Sequence, residues 1–284
     1  SIALIWRLQS GPISLNSLTP YIERALNSDG ARYEIAIGET VLIWAGWGRT
    51  FDVRMLNVQA SDTDGRSIIQ VPEIGVSFSL PALLRGIIAP KSIEVFRPEL
   101  HLVRDIGGQL ALDLGENLLS HGNLLERIAG IIASAPSPSN PISYLERFDL
   151  IKAQLLLEDV SKGWSMRMPV TYLNIKRDES GSKMEATLNV PLGGTVADIF
   201  VRAAYLDGKG VTTTIQFDDV SPRALAYAVT PLKQLAAVDS AVSGTLKIGL
   251  TKDGSVERMR LEVSAATGTL HLPEAGIGGV AFRQ

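Results

Sequence analysis

The chain has 284 residues, of which 45% are hydrophobic and 20% charged, so it can bury a core and is not disordered. A formal net charge of −3, without runs of Lys and Arg among aromatic residues, argues against nucleic-acid binding. The absence of cysteine excludes a thiolate nucleophile, a Cys-ligated zinc and a disulfide. Because no run of ~20 apolar residues occurs, we expect the chain not to span a membrane by itself.

The first residues fit two interpretations. The apolar run IALIW of residues 2–6 follows Ser1 and leads directly into Arg7. It is either the cut end of an apolar membrane segment, with Trp6 and Arg7 at the interface, or a first β-strand.

Helix signals are few. Thr19-Pro20 places a capping hydroxyl before a proline and predicts a helix over residues 20–27. A helical turn is expected at 81–85, ended by Gly86, and the longest helix at 116–134. Ser221-Pro222 and Thr230-Pro231 predict two further helix starts.

Strand signals dominate the rest of the chain. Apolar residues alternate with mostly polar ones over 74–80, 164–172, 184–190, 199–205 and 259–263, which predicts strands with one apolar face. Pairs such as Asp64-Gly65 and Ser180-Gly181 supply the tight turns of hairpins. Pro72 and Pro169 interrupt strand-like runs and indicate an edge, a bulge or a kink.

These patterns predict a mainly β fold with a few helices. Long antiparallel strands would meander into a curved, groove-like or sandwich-like sheet capped by helices. The segment PSPSNP at 136–141 predicts a linker between a first unit, residues 1–135, and a second unit, residues 142–284. We expect the second unit to continue the arrangement of the first.

Catalytic and metal-binding motifs are not recognised. His101, His121 and His271 lack metal-ligand spacing, and the chain contains neither a nucleophile elbow nor a phosphate-binding loop. The acidic pairs Glu158-Asp159 and Asp218-Asp219 should point to opposite strand faces and stand in solvent before loops. We therefore expect no enzyme activity, no cofactor and no metal, although carboxylates from distant strands could still converge.

Structural motifs of the first 115 residues resemble those of the AsmA-like family, in particular its YhdP-type branch. The similar segments cover about residues 7–115 and are turns and caps rather than catalytic signatures. They are SGPISL at 10–15, LTP at 18–20, VLIW at 41–44, NV at 57–58, DTDG at 62–65, LPALLRG at 80–86, IAP at 88–90 and RPEL at 97–100.

The resemblance implies a location and a function. Members of this family are held in the inner membrane of Gram-negative bacteria by an N-terminal helix, which we expect to be absent from this chain, and their bulk lies in the periplasm. They resemble bridge-like lipid-transfer proteins, in which phospholipid acyl chains slide along an apolar β-groove between inner and outer membranes. Outer-membrane or periplasmic proteins are the further partners that this resemblance implies, and nucleic acid is not.

The expected lining of such a groove comes from the apolar positions of the predicted strands. These positions could equally be ordinary core residues. The candidates are Ile74, Val76, Phe78, Met166, Met168, Leu188, Val190, Ile199 and Val201.

Two other functions fit the same strands. One is a periplasmic scaffold or assembly protein that binds partner proteins along an exposed β-edge. The other is a glycan- or lipid-modifying enzyme whose carboxylates come from separate strands.

Overall fold

A computed structural model describes a mainly β chain, which confirms the predicted fold class. The described residues are 12–27, 33–43, 52–62, 65, 67–104, 106, 110–112, 137, 140–178, 181–192, 195–206, 210–228, 235–251, 256–265, 268–272 and 277–282. The apolar run at 2–6, the predicted helix at 116–134 and the helix start at Thr230 lie outside them.

The described helices are short. They are α1 Thr19–Leu26, α2 Leu80–Leu83 and α3 Pro222–Ala228, with a 3-10 turn at Pro141–Tyr144. The predicted turn at 81–85 overlaps α2, which ends at Leu83 and is followed by a turn up to Gly86, whose φ is 76°. No helix among the described residues is long and apolar enough to cross a membrane.

Seventeen strands make up most of the described chain. Several exceed ten residues, as the alternation predicts. In chain order they are β1 Ile13–Ser14, β2 Tyr33–Ile43, β3 Asp52–Asp62, β4 Ser67–Phe78, β5 Pro90–Phe96, β6 Glu99–Arg104, β7 Leu110–Leu112, β8 Arg147–Asp159, β9 Trp164–Asp178, β10 Gly181–Leu192, β11 Thr195–Leu206, β12 Gly210–Val220, β13 Val238–Asp239, β14 Val242–Leu250, β15 Val256–Ala265, β16 Gly268–Leu272 and β17 Ile277–Phe282.

Hydrogen bonds join most strands in the order β1-β2-β3-β4-β5-β8-β9-β10-β11-β12-β14-β15. The strands β6 and β7 branch from β8, and β13, β16 and β17 form a separate small sheet. The expected antiparallel meander is interrupted where β5 and β8 pair in parallel. Parallel neighbours need a long crossover connection, and the residues between β5 and β8 provide it.

The described chain contains two compact units. Unit 1 comprises Ser1–Leu100, Ala111–Ala153 and Asn174–Asp178, and unit 2 comprises His101–Leu110, Gln154–Leu173 and Glu179–Gln284. The division predicted at the 136–141 linker stays a prediction.

In unit 1, helix α1 covers the outer edge of β2. Glu23 accepts a hydrogen bond from the backbone N–H of Ile37, and the Asn27 amide bonds both the N–H and the C=O of Ile35. The predicted cap was wrong: Thr19 makes no capping bond, because its hydroxyl bonds that of buried Thr40 at 2.8 Å. Side chains of the helix thus occupy backbone groups that a sheet edge otherwise leaves open.

On β3 of unit 1, the set of alternate residues that faces the core switches at Asn57. The core contains Ile37, Val58 and Val71 in register, with Met55 and Ile74 packed against it. Residues 55 and 58 contribute to one core from positions of opposite parity, because Asn57 has a φ of 51°. On β4 the change falls at Pro72, as its strand-breaking character predicts.

In unit 2, helix α3 packs on one end of the sheet. The Ser221 hydroxyl accepts a hydrogen bond from the Ala224 N–H at 3.2 Å, so the predicted cap is confirmed. Leu225 and Ala224 lie against a core of buried residues from three strands. These are Val190, Leu192, Ala197 and Val220.

This core makes a matched prediction possible. Leu192 is 1% exposed, so Leu192→Ala should leave a cavity and destabilise the protein by about 2–5 kcal/mol. Val196 is 62% exposed, so Val196→Ala should change the free energy of unfolding by less than about 0.5 kcal/mol. Urea unfolding of the two variants measures both effects, and equal effects would contradict this description of the core.

Candidate apolar binding face

Unit 2 carries an apolar face built from in-register rows of side chains. Each row runs across β10, β11, β12, β14 and β15, because antiparallel partners point to the same side of a sheet. The rows are Leu188–Ile199–Phe217–Gly244–Val263, Ala186–Val201–Ile215–Leu246–Leu261, Met184–Ala203–Thr213–Ile248–Met259 and Ser182–Tyr205–Val211–Leu250–Val256.

The opposite face of the same strands is polar. Its rows contain charged pairs such as Glu185 with Arg202 at 3.5 Å and Arg260 with Glu262 at 2.7 Å. These side chains stand in solvent, as the predicted alternation requires. The remaining members of the rows are Lys183, Thr187, Phe200, Ala204, Thr212, Thr214, Gln216, Thr245, Lys247, Gly249 and Arg258.

The exposed fraction of the apolar side chains increases along the strands away from helix α3, and across the sheet towards β15. Val190 is 3% exposed beneath helix α3, whereas Val201 and Ile215 are half-buried. On the last strand of the face, Leu261 is 59% and Met259 68% exposed. The helix therefore closes one end, and the rows beyond it are accessible.

A glycine shapes the first row of the face. Phe217 and Gly244 are directly paired, and a Cβ on Gly244 would lie 2.8 Å from the Phe217 ring and 2.4 Å from the Glu262 carbonyl oxygen. The ring thus lies over a position where only hydrogen fits. Because Gly244 has no side chain, the Phe217 ring can lie against the sheet, and the apolar surface is continuous beside α3.

The predicted lining residues separate into two groups. Met166, Met168, Leu188 and Ile199 pack together around Val190, and Val201 follows on the same face. Val190 itself belongs to the closed core. The other three, Ile74, Val76 and Phe78, are half-buried on one face of β4 in unit 1.

Sequence reasoning missed the lining from β12 and β14 and did not connect β15 to it. The β12 signal was weak because three successive threonines interrupt the alternation, although Val211, Ile215 and Phe217 lie on one face. The missed members are Val211, Ile215, Phe217, Leu246, Ile248, Leu250, Met259, Leu261 and Val263.

Unit 1 has a second feature, a polar cluster on β3, β4, β5, β8 and β9. Arg54 pairs with Glu73, with Asp52 at 3.5 Å and with Glu94 at 3.9 Å. Burial disfavours its charge, but the hydrogen bond to Glu73 and the three carboxylates raise the pKa of Arg54 above its ordinary value. A permanent cation is thus held among three carboxylates, of which those of Asp52 and Glu94 are buried.

The same cluster continues onto β8. Asp149 is fully buried, accepts a hydrogen bond from Arg147 at 2.6 Å and another from Asn174 at 2.7 Å. Glu94 and Asp149 are direct neighbours in the parallel β5–β8 pair. Guanidinium and amide donors bind these carboxylates, so the cluster fits a role in fixing the register of β5 and β8.

The two acidic pairs differ in outcome: Asp218 and Asp219 are exposed, as predicted, whereas the first pair departs from the prediction. Asp159 does not stand in solvent: it is buried and accepts hydrogen bonds from Ser161 at 2.6 Å and Arg104 at 3.1 Å. Its neighbour Glu158 bonds His101 at 3.0 Å. The turn folds back on the strand and supplies donors that the sequence alone does not reveal.

The second pair sits at a bulge. Asp219 has a φ of 53°, and its N–H donates to the Ser243 hydroxyl at 2.9 Å. In the antiparallel β11–β12 pair, Asp218 lies opposite Asp198. Both residues line a cavity of about 350 Å³ on the polar face. Within the described residues, no group of three or more acidic or histidine side chains could hold a metal ion.

The Asp159 turn predicts a pH dependence. The Ser161 hydroxyl and the Arg104 guanidinium hold the pKa of Asp159 below its ordinary value. Because the folded pKa is lower than the unfolded one of about 3.9, the stabilisation is complete above that pH and is lost as the pH falls through the folded pKa.

Asp159→Asn should therefore be less stable than the wild type at pH 7. The difference should shrink once the pH falls below about 3.9, the ordinary pKa of an aspartate, and continue to shrink through the lower folded pKa. Urea midpoints of both proteins over this range measure it. A difference that stays constant with pH would contradict the role given to the carboxylate.

Comparison with known proteins adds no relative. No protein-family model, curated protein or solved structure matches the chain. The resemblance of residues 7–115 to the AsmA-like family stays a prediction.

Proposed function

We propose that this protein binds lipid acyl chains on the apolar face of unit 2 and transports phospholipids without catalysing a reaction. One observation carries the proposal: apolar rows cross β10, β11, β12, β14 and β15 in register, and in the described part of the chain a helix closes one end of them. Monomeric soluble proteins seldom leave such continuous apolar surfaces open, and those that do use them for binding.

The energetics of acyl chains suit this face. Each CH₂ group removed from water contributes ~0.8 kcal/mol, so a chain of about 15 methylenes gains at most ~12 kcal/mol. That gain requires a continuous apolar track, since an interruption by a buried charge costs several kcal/mol. The rows contain aliphatic and aromatic side chains, serine, threonine and glycine, but no charged residue.

The two-faced strands suit transport as well as binding. A headgroup needs water, whereas the acyl chain needs the apolar rows. An open face offers both at once, because the chain can lie on the rows while the headgroup remains at their rim. We place this activity in the periplasm, between the inner and outer membranes, in agreement with the resemblance of residues 7–115.

A second candidate function is a scaffold that binds proteins along a strand edge. The observation that favours it is β15, whose apolar residues are exposed and which pairs only with β14 among the described strands. Such an edge can accept an added strand by backbone hydrogen bonding.

Lipid binding is tested by charge placed on either face. Val201→Asp puts a carboxylate among Ala186, Ile215 and their neighbours, and should reduce co-purified phospholipid at least about 10-fold. Thr214→Asp adds the same charge to the polar face, between Arg202 and Lys247, and should retain wild-type lipid. Mass spectrometry of lipid extracted from detergent-free protein gives the molar ratio.

Circular dichroism of both variants provides the folding control. A folded Val201→Asp protein with wild-type lipid content would refute the proposal, as would equal lipid loss in Thr214→Asp. If Val201→Asp unfolds, Ile248→Asp in the next row decides in the same way. Lipid-free wild-type protein with a bound protein partner would favour the scaffold.

A further inference from the structure

The two ends of the main sheet differ in how their backbone edges are covered. At the first end, β1 and side chains of Asn16, Glu23 and Asn27 occupy the backbone edge of β2. At the other end, β15 pairs with β14, and no further partner for it is found among the described strands. Proteins usually protect long edge strands, so an exposed one of ten residues indicates a partner.

The exposed side chains of β15 are apolar on one face. Val256, Met259, Leu261 and Val263 are each more than half exposed. They continue the apolar rows of β10, β11, β12 and β14 up to the edge. A strand added beside β15 would therefore cover both its backbone groups and part of this surface.

The sequence of β15 is complementary to itself when antiparallel. A pair centred on Leu261 places Leu261 opposite Leu261, Met259 opposite Val263 and Arg260 opposite Glu262. The charge pair occurs twice, because twofold symmetry repeats every contact. A shift of the centre by one residue, to Arg260, would set two arginines directly opposite each other.

The neighbouring strand strengthens this charge argument. Arg260 is directly paired with Lys247 on β14, and like charges in that position repel. The bond from Arg260 to Glu262 within β15 is exposed and contributes little. A carboxylate on the outer side of Arg260 would offset the repulsion, and the antiparallel pair supplies it.

We propose that β15 pairs with β15 of a second copy of this chain, antiparallel and centred on Leu261. The twofold axis stands perpendicular to the sheet, so both apolar faces lie on the same side and join into one surface. The pairing uses backbone groups of the edge, whereas the proposed lipid binding uses side chains of the face. Either can hold without the other.

Cysteine cross-linking tests the register. The chain has no cysteine, so Leu261→Cys introduces a single thiol that should lie opposite its own copy and form a disulfide-linked dimer under mild oxidation. Met259→Cys is the matched control, since Met259 is at least as exposed as Leu261. Its two thiols would sit four residues apart along the strands, about 13 Å, and should not cross-link.

Charge reversal tests the contact in solution. Arg260→Glu and Glu262→Arg each place like charges opposite twice and should weaken dimerisation at least about 10-fold, while the double variant should restore it. Lys176→Glu on β9 changes the net charge as Arg260→Glu does and should leave dimerisation unchanged. Sedimentation velocity over a series of protein concentrations measures the dissociation constant, with circular dichroism to verify folding.

Three outcomes would overturn the pairing. They are a wild-type monomer at all concentrations, equal cross-linking of the 259 and 261 cysteine variants, and a double variant that remains as weak as the single ones. A monomer that still carries phospholipid would leave the proposed function standing. A dimer without lipid would retain the pairing and refute lipid binding.

Discussion

The apolar face of unit 2 depends on one constraint, the backbone register of its antiparallel strands. Side chains alternate with a period of two, so a slip by one residue would move every apolar row to the polar side. A glycine fixes one register: Gly210 has a φ of 88°, and a Cβ there would lie 2.1 Å from the Leu250 carbonyl oxygen. This close approach holds β12 against β14, and the pairing of Gly210 with Leu206 begins the register that places Ile199 beside Phe217 and Val201 beside Ile215.

Alternation alone was sufficient to predict single strands, because each strand needs only its own residues to form a face. It could not distinguish Val190 from Val201, which look identical in sequence, since the difference arises from helix α3 packing over only one of them. It also misplaced Asp159, because the donors that bury this carboxylate come from Ser161 and distant Arg104. Local patterns specify elements, whereas long-range packing specifies which of their residues remain accessible.

Unit 1 uses polar contacts where unit 2 uses apolar ones. Its buried cluster of Arg54, Glu94, Asp149 and Asn174 incurs the desolvation cost of charges, so it is a poor source of stability. The cluster contributes to strand register, because a parallel pair lacks a hairpin turn that would set it. Hydrogen-bonded charges that fit in only one alignment can supply that information to β5 and β8.

The open face and the open edge of unit 2 follow from the same strands but present different chemistry. The face offers mostly aliphatic and aromatic side chains, which suit a hydrocarbon better than a polar ligand. The edge offers unpaired backbone N–H and C=O groups, which a hydrocarbon cannot satisfy and another strand can. Since neither partner can replace the other, the β15 strand of a second copy would extend the apolar rows across the twofold axis without occupying them.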